Sequence, residues 1–290
     1  MLLMFGAAFG LPSGSPQAAP ITFNTALPVS QGEIIFRELA TVGRASDDAG
    51  GLDRKMTVVT ANSVVVYGVT PDLAFFAILP VTFRVLETPA GDRNADGIGD
   101  ARLIARYTIY KKNAVGKTTR IAPFIGLKVP TGASAKTDDF GLLPAPLQPG
   151  TGSWDVFGGV IATYASVDWN FDFQASYRAN TRAGGVKRGD VARADASFQY
   201  RLLPRKLSRH DKGYFYGVIE ANLVHSGEMR VDGIDDPNTG GTTLSLVPGV
   251  QYATRRWIAE AAVQLPVIQD LNGSALERDF TVLAGLRVNF

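Results

Sequence analysis

The most constraining feature of the chain is its last stretch, residues 277–290. Phe280, Val282, Ala284, Leu286, Val288 and Phe290 are apolar, and between them lie Asp279, Thr281, Leu283, Gly285, Arg287 and Asn289. Alternation at period two marks a strand with one oily and one wetter face. The stretch outruns the ~5–6 residues usual for a strand of a soluble sheet. It suits the ~9–11 residues of a tilted strand crossing a membrane. On this segment alone, an edge strand of a soluble β-protein remains the alternative.

No run of 18 or more apolar residues exists in the 290-residue chain, so a transmembrane helix is not available. A membrane-spanning chain of this kind must close a barrel, because only helices and closed barrels satisfy every backbone group in lipid. Net charge is +2, which gives no electrostatic case for a nucleic-acid partner. The absence of cysteine excludes a disulfide scaffold. Residues 1–19 hold an apolar run (Leu2, Leu3, Met4, Phe5) and then small residues to Ala18-Ala19, the layout of a signal peptide, although no Lys or Arg precedes the run. Residues 20–32 are expected to form a periplasmic lead and residues 33–290 the barrel.

Strand-like alternation recurs through the chain. It is clearest where Trp169, Phe171, Phe173, Ala175 and Tyr177 oppose Asn170, Asp172, Gln174, Ser176 and Arg178. Short turns such as Thr70-Pro71-Asp72 alternate with longer Gly/Asp/Pro-rich loops, the longest at residues 132–150. About twelve strands emerge, an even number that puts both ends on one side. Trp154, Tyr164, Trp169, Tyr177, Tyr200, Tyr252, Trp257 and Phe290 fall near strand ends, as interfacial girdles require. The expected fold is all-β: an antiparallel up-and-down transmembrane barrel with periplasmic termini, facing outer-membrane lipid.

Two stretches carry a resemblance. Gly97-Ile98-Gly99-Asp100-Ala101-Arg102-Leu103 is followed by Ala105-Arg106-Tyr107, and Leu127-Lys128-Val129-Pro130-Thr131-Gly132 precedes a long loop and Gly152-Ser153-Trp154-Asp155. This pattern resembles the outer-membrane family called "putative MetA-pathway of phenol degradation", most strongly over about residues 95–180. The resemblance implies a β-barrel channel or transporter for small solutes, aromatic or hydrophobic compounds among them. It supplies no catalytic residues, and the chain itself shows no motif for a cofactor.

With the apolar face toward lipid, the opposite face gathers Arg84, Arg102, Arg106, Arg120, Lys128, Arg178, Arg193 and Arg287. It also gathers Asp155, Asp172, Asp195, Glu220, Glu260 and Asp279. Basic residues concentrate on the third to fifth strands, and the ninth and eleventh supply carboxylates. A field of that kind would orient a polar solute diffusing through the lumen. The alternative is a lumen closed by mutual salt bridges, in a structural or adhesive barrel.

Three further features need weighing. Asp92, Asn94 and Asp96 form a D-x-N-x-D-G loop suited to calcium, but the twelfth position is Leu103 rather than a bidentate Glu, so an Asx/Gly turn competes. A barrel-embedded lipid hydrolase would need a paired His and Ser. The histidines are His210 and His225, and His225 adjoins Ser226, but adjacent strand residues point to opposite faces. Phe280, Leu286, Val288 and Phe290 form a C-terminal signature expected to be recognised by the barrel-assembly machinery.

Overall fold

The computed structural model describes residues 17–206, 208 and 211–290. Residues 1–16 of the expected signal peptide, and His210, lie outside the described residues. Twelve long strands make the wall: β1 (Ile34–Asp47), β2 (Lys55–Gly68), β3 (Leu73–Glu87), β4 (Ala101–Tyr107), β5 (Lys117–Val129), β6 (Asp155–Ser166), β7 (Trp169–Ala179), β8 (Val191–Leu203), β9 (Gly213–Ser226), β10 (Gly241–Thr254), β11 (Trp257–Leu271) and β12 (Glu277–Asn289). Each pairs antiparallel with its sequence neighbour, and β12 pairs with β1, so the sheet closes. The seam is finished by the last residue, whose Phe290 N–H donates to the Ile34 carbonyl at 2.8 Å.

The expected alternation governs the wall. Phe280, Leu286 and Phe290 are exposed on the outside, in line with Val282 and Ala284. Burying such side chains requires lipid rather than a second sheet. Glu38 is an outward-facing exception, and its carboxylate accepts the Ser63 hydroxyl at 2.7 Å. Exposed aromatic rings cluster at the short-turn end, where Tyr164 stacks on Trp169 (4.8 Å) and Tyr252 lies against Trp257 (5.4 Å). Fewer mark the opposite rim, Trp154 and Tyr177 among them.

Strand prolines sit where the ladder is interrupted, because proline has no N–H to give it. Pro80 of β3 accepts Gly99 N–H at 2.8 Å, so its ring nitrogen faces the break between β4 and the short strand Arg93–Ile98. Pro248 of β10 falls in the gap between the pairs Leu246–Leu265 and Gly249–Ala262. The β11–β12 ladder ends at Gln264–Thr281. Beyond it the Gln269 side chain stands in for backbone, accepting Arg278 N–H (2.9 Å) and donating to the Arg278 carbonyl (3.0 Å).

Connections at one end are tight, such as Val167-Asp168 and Arg255-Arg256, and those at the other are long. The loop 130–154 folds back over its rim, placing Leu143 and Leu147 against Ala95, Met56 and Leu86. Arg84 fastens it by donating to the carbonyls of Pro146 (2.7 Å) and Gln148 (2.9 Å). Two neighbouring loops contribute hairpins to a four-stranded sheet (Arg182–Ala183, Val186–Lys187, Met229–Val231, Ile234–Asp236).

The segment expected as a periplasmic lead lies instead inside the barrel. Ile21, Phe23, Ala26 and Val29 are buried, and so are Ala18 and Ala19, which end the stretch expected as a signal peptide and here run on into the lead. The segment offers apolar side chains to a lumen that, as described below, has apolar patches to receive them.

Candidate functional site

An irregular segment inside a barrel has no ladder for its backbone, so each N–H and C=O needs another partner. Inward side chains from six strands supply them. Gln251 of β10 pairs with Ala19 as a strand would, accepting its N–H (3.2 Å) and donating to its carbonyl (2.7 Å). Glu220 of β9 accepts Ile21 N–H (2.7 Å), Thr22 N–H (3.0 Å) and the Thr22 hydroxyl. Asn222 of the same strand donates to the Thr22 hydroxyl (3.0 Å). Arg37 of β1 donates to Ile21 O (2.6 Å), and Arg106 of β4 donates to Leu27 O (2.7 Å) and Thr25 O. Thr163 of β6 accepts Ala26 N–H (2.8 Å), and Asn170 of β7 donates to Ala18 O (3.1 Å). Hydrogen bonds to charged groups are worth about 1.5–3 kcal/mol each, so Glu220, Arg37 and Arg106 are the strongest latches.

Packing completes the lead's course. Ala18 sits among Tyr214, Tyr216, Ala253 and Ile258, and Ile21 among Val218, Val247, Ala262 and Leu283. Ala26 meets Ala122 and Ile161 on the opposite wall. Val29 then joins Val66, Ala74, Phe76 and Ile104. The lead thus crosses the lumen from the β9–β11 side to the β2–β5 side and returns to β1.

Beside the lead runs a cavity of about 1010 Å³. Its lining is asymmetric. Val64, Val66, Phe76, Ile78, Ile104, Phe124 and Phe157 form an apolar wall along β2–β6. Inward side chains on β6–β11 are mainly polar, with Thr163, Asn170, Gln174, Ser197, Gln199 and Gln251 buried. Stretches of β2 and β3, with Ile104 of β4, are therefore apolar on both faces, a departure from the expected apolar-out, polar-in alternation.

The charged residues expected in the lumen face inward but have different fates. Asp155 and Lys128 form an ion pair that also takes in Asp100 (3.3 Å) and Ser153 (3.2 Å). Asp172 accepts from Thr163 and Gln199 (3.2 Å). Asp195 accepts both Arg193 Nε (2.7 Å to Oδ2) and Asn222 (2.8 Å). Glu260 accepts from Arg37 (2.7 Å) and Gln251 (2.7 Å). Asp155, Asp172, Asp195, Glu260 and Glu220 are buried under 6% exposure, as carboxylates can be only when hydrogen-bonded. Asp279 accepts the Ser46 hydroxyl at 2.7 Å. The arginines are the groups left facing the cavity: nine line it, including Arg102, Arg120, Arg178, Arg193 and Arg287, against one carboxylate, Glu33. Rather than two walls of opposite sign, the described residues present a cationic cavity with its anions held in the wall. Arg37, Asn170, Thr163 and Gln251 were not singled out by sequence, although each lies at inward parity.

Asp92, Asn94 and Asp96 stand at alternate, exposed positions around the short strand Arg93–Ile98 rather than in a turn. Alternate residues of a strand lie about 6.6 Å apart, too far to converge on one cation. Asp96 is paired with Lys136 (3.4 Å). Among the described residues no three His, Cys, Asp or Glu side chains are grouped to hold a metal. His225 binds Thr242 (2.9 Å) and borders an outer apolar groove, whereas Ser226 lines the lumen, so the two face apart.

The fold has solved counterparts. The COG4313 outer membrane channel from Pseudomonas putida F1 superposes with a TM-score of 0.69 at 15% identity, covering 94% of this chain and 100% of that one. The beta domain of the Bordetella autotransporter BrkA gives 0.50 at 13% identity, covering 90% and 100%. No curated protein matches the sequence. The family model "putative MetA-pathway of phenol degradation" matches residues 38–265. With that match spanning most of a closed twelve-stranded wall, the chain is an outer-membrane β-barrel belonging to the putative MetA-pathway of phenol degradation family.

Proposed function

We propose that the protein is a passive outer-membrane channel for small solutes, aromatic and hydrophobic compounds among them, with the lead acting as a constriction in its lumen. The observation that carries this reading is the 1010 Å³ cavity, enclosed by the wall and lined on one side by apolar side chains and elsewhere by arginines. A solid, mutually neutralised interior would have left no such space. The counterpart's description as an outer membrane channel supports the same reading. The short turns and the barrel termini face the periplasm in this proposal, and the loop 130–154 the outside. Phe290 and the alternating residues behind it serve the assembly machinery.

Single-channel recording and liposome swelling test the reading directly. The full-length protein is expected to pass small ions in brief, low-conductance events. A protein lacking residues 17–31 is expected to conduct several times more. Absence of ion and solute flux in both proteins would exclude a channel and favour a structural barrel.

A further inference from the structure

The cavity's arginines are not equivalent. Arg37 and Arg106 are spent on the lead, and Arg193 gives its Nε to Asp195. Arg102, Arg178 and Arg278 have no carboxylate within ion-pair distance among the described residues. Arg102 has one long contact, to Asn62 Oδ1 at 3.5 Å. The Nε of Arg178 is buried without a hydrogen-bond partner. Arg102 and Arg178 lie close enough to Arg193 to feel its charge. Asp155 also acts on Arg178, but it is buried and ion-paired to Lys128. Crowded like charges with unused donors are costly in a confined space, and an anion placed among them would relieve that cost.

The surroundings say what kind of anion. Phe157 is the cross-strand partner of Arg178, and Ile78 that of Arg102, so each guanidinium adjoins an apolar side chain on the same inner face. Val64, Ile104 and Phe124 extend that surface. A planar guanidinium binds a carboxylate through two parallel N–H bonds, while the apolar wall takes a flat hydrocarbon body.

We infer that Arg102 and Arg178, backed by Arg193, form a binding site for small aromatic carboxylates, with the ring held against Phe157 and Ile78. The site names the solute class of the proposed channel and rests on that reading only for transport; binding stands separately.

Equilibrium dialysis of radiolabelled benzoate against the full-length protein in detergent measures binding without flux. Saturable binding is expected, at least about tenfold tighter than that of phenol, which lacks the carboxylate, in keeping with the strength of a charge-assisted bidentate pair. Arg102→Gln and Arg178→Gln are each expected to weaken benzoate about tenfold and leave phenol within about twofold, since each removes one charged donor pair. Both variants relieve like-charge crowding, so retention of the folded barrel's heat-modifiable gel mobility is expected and confirms that loss of binding is local. Benzoate binding no tighter than phenol, or untouched by either substitution, overturns the site. In bilayers, phenol flux without benzoate preference also overturns the site and leaves the channel standing. Benzoate binding with no flux of any solute does the reverse.

Discussion

The two halves of the lumen solve opposite problems within one wall. Along β2–β5 the inner face carries Val64, Val66, Phe76, Ile78, Ile104 and Phe124, where the Thr25–Val29 end of the lead rests, latched by Arg106. Along β6–β11 it carries buried polar and charged groups that bind the lead's backbone or one another. The apolar half leaves surface for a solute and binds through area, without direction. The polar half binds through direction, and its lead-binding groups lose partners when the lead leaves. Glu220 makes this plain: without the lead, its donors fall to the Ser197 hydroxyl at 3.0 Å. Most latches of the lead thereby lie on one side of the barrel and most of the apolar solute surface on the other, with Arg106 of β4 and Arg178 of β7 crossing that division.

The largest effect should come from breaking the polar half. Glu220→Ala removes the acceptor of three donors in the lead. Losing even one charge-assisted hydrogen bond, worth about 1.5–3 kcal/mol, shifts docked against undocked lead by about tenfold or more. Thiol labelling at Ile21→Cys should accelerate by at least that factor in the Glu220→Ala background, with longer channel openings. An unchanged labelling rate would mean that packing, not hydrogen bonding, holds the lead.

The apolar half should respond differently. Phe76→Ala removes a buried ring that touches Val29 and lies 5.1 Å beneath the Arg106 guanidinium. Large-to-small changes of this kind cost about 3 kcal/mol, so the urea unfolding midpoint should fall. Labelling at Ile21→Cys should change far less than with Glu220→Ala, because the Glu220 and Gln251 latches remain. Equal acceleration in the two variants would erase the division between the halves.

At their junction, Gly126→Ala is a finer probe. A Cβ at Gly126 would stand 2.2 Å from the Phe157 ring, so the ring must move. Overpacking costs about 1–3 kcal/mol, and a modest loss of stability is expected, together with weaker benzoate binding if the ring supports the ligand. A stable variant with unchanged binding would place Phe157 outside the solute's surface.

How far the sequence foretold this differs between the halves. Strands β7 and β12 alternate strictly, and their inward residues are where parity puts them. The two-sided strands were legible as runs, Val64-Val65-Val66 and Phe75-Phe76-Ala77-Ile78, which alternation templates pass over. The lead was not legible. It is short and without period, and its partners lie far off in the chain, as with Ile21 and Glu220. For the same reason sequence located the lumen carboxylates but not which of them would be consumed. The Asp92–Asp96 motif was misleading because β3 recruits it into a strand across Val81–Leu86.

The smallest effect is expected outside the membrane, where the two halves no longer differ. In the loop between β1 and β2, Arg54 donates to both oxygens of Asp48 at 2.8 and 2.6 Å and binds the Ser274 carbonyl at 2.7 Å, joining this loop to the one before β12. The Arg54 side-chain hydrogen bond holds the Asp48 carboxyl well below the usual carboxylate range, with backbone N–H groups of Arg54 and Gly50 adding to it. A depressed folded-state value means that the stabilisation is present above the unfolded value, near 3.9, and is lost as pH falls through the folded one. Asp48→Asn should therefore lower stability at pH 7 by no more than about 1 kcal/mol, the scale of a partly exposed pair, and the difference should shrink as the pH is taken well below 4. Urea midpoints of the two proteins at neutral and acid pH test this, and a penalty that grows on acidification would reverse the assigned sign. Neither labelling of the lead nor benzoate binding should change, because the pair touches only the long loops.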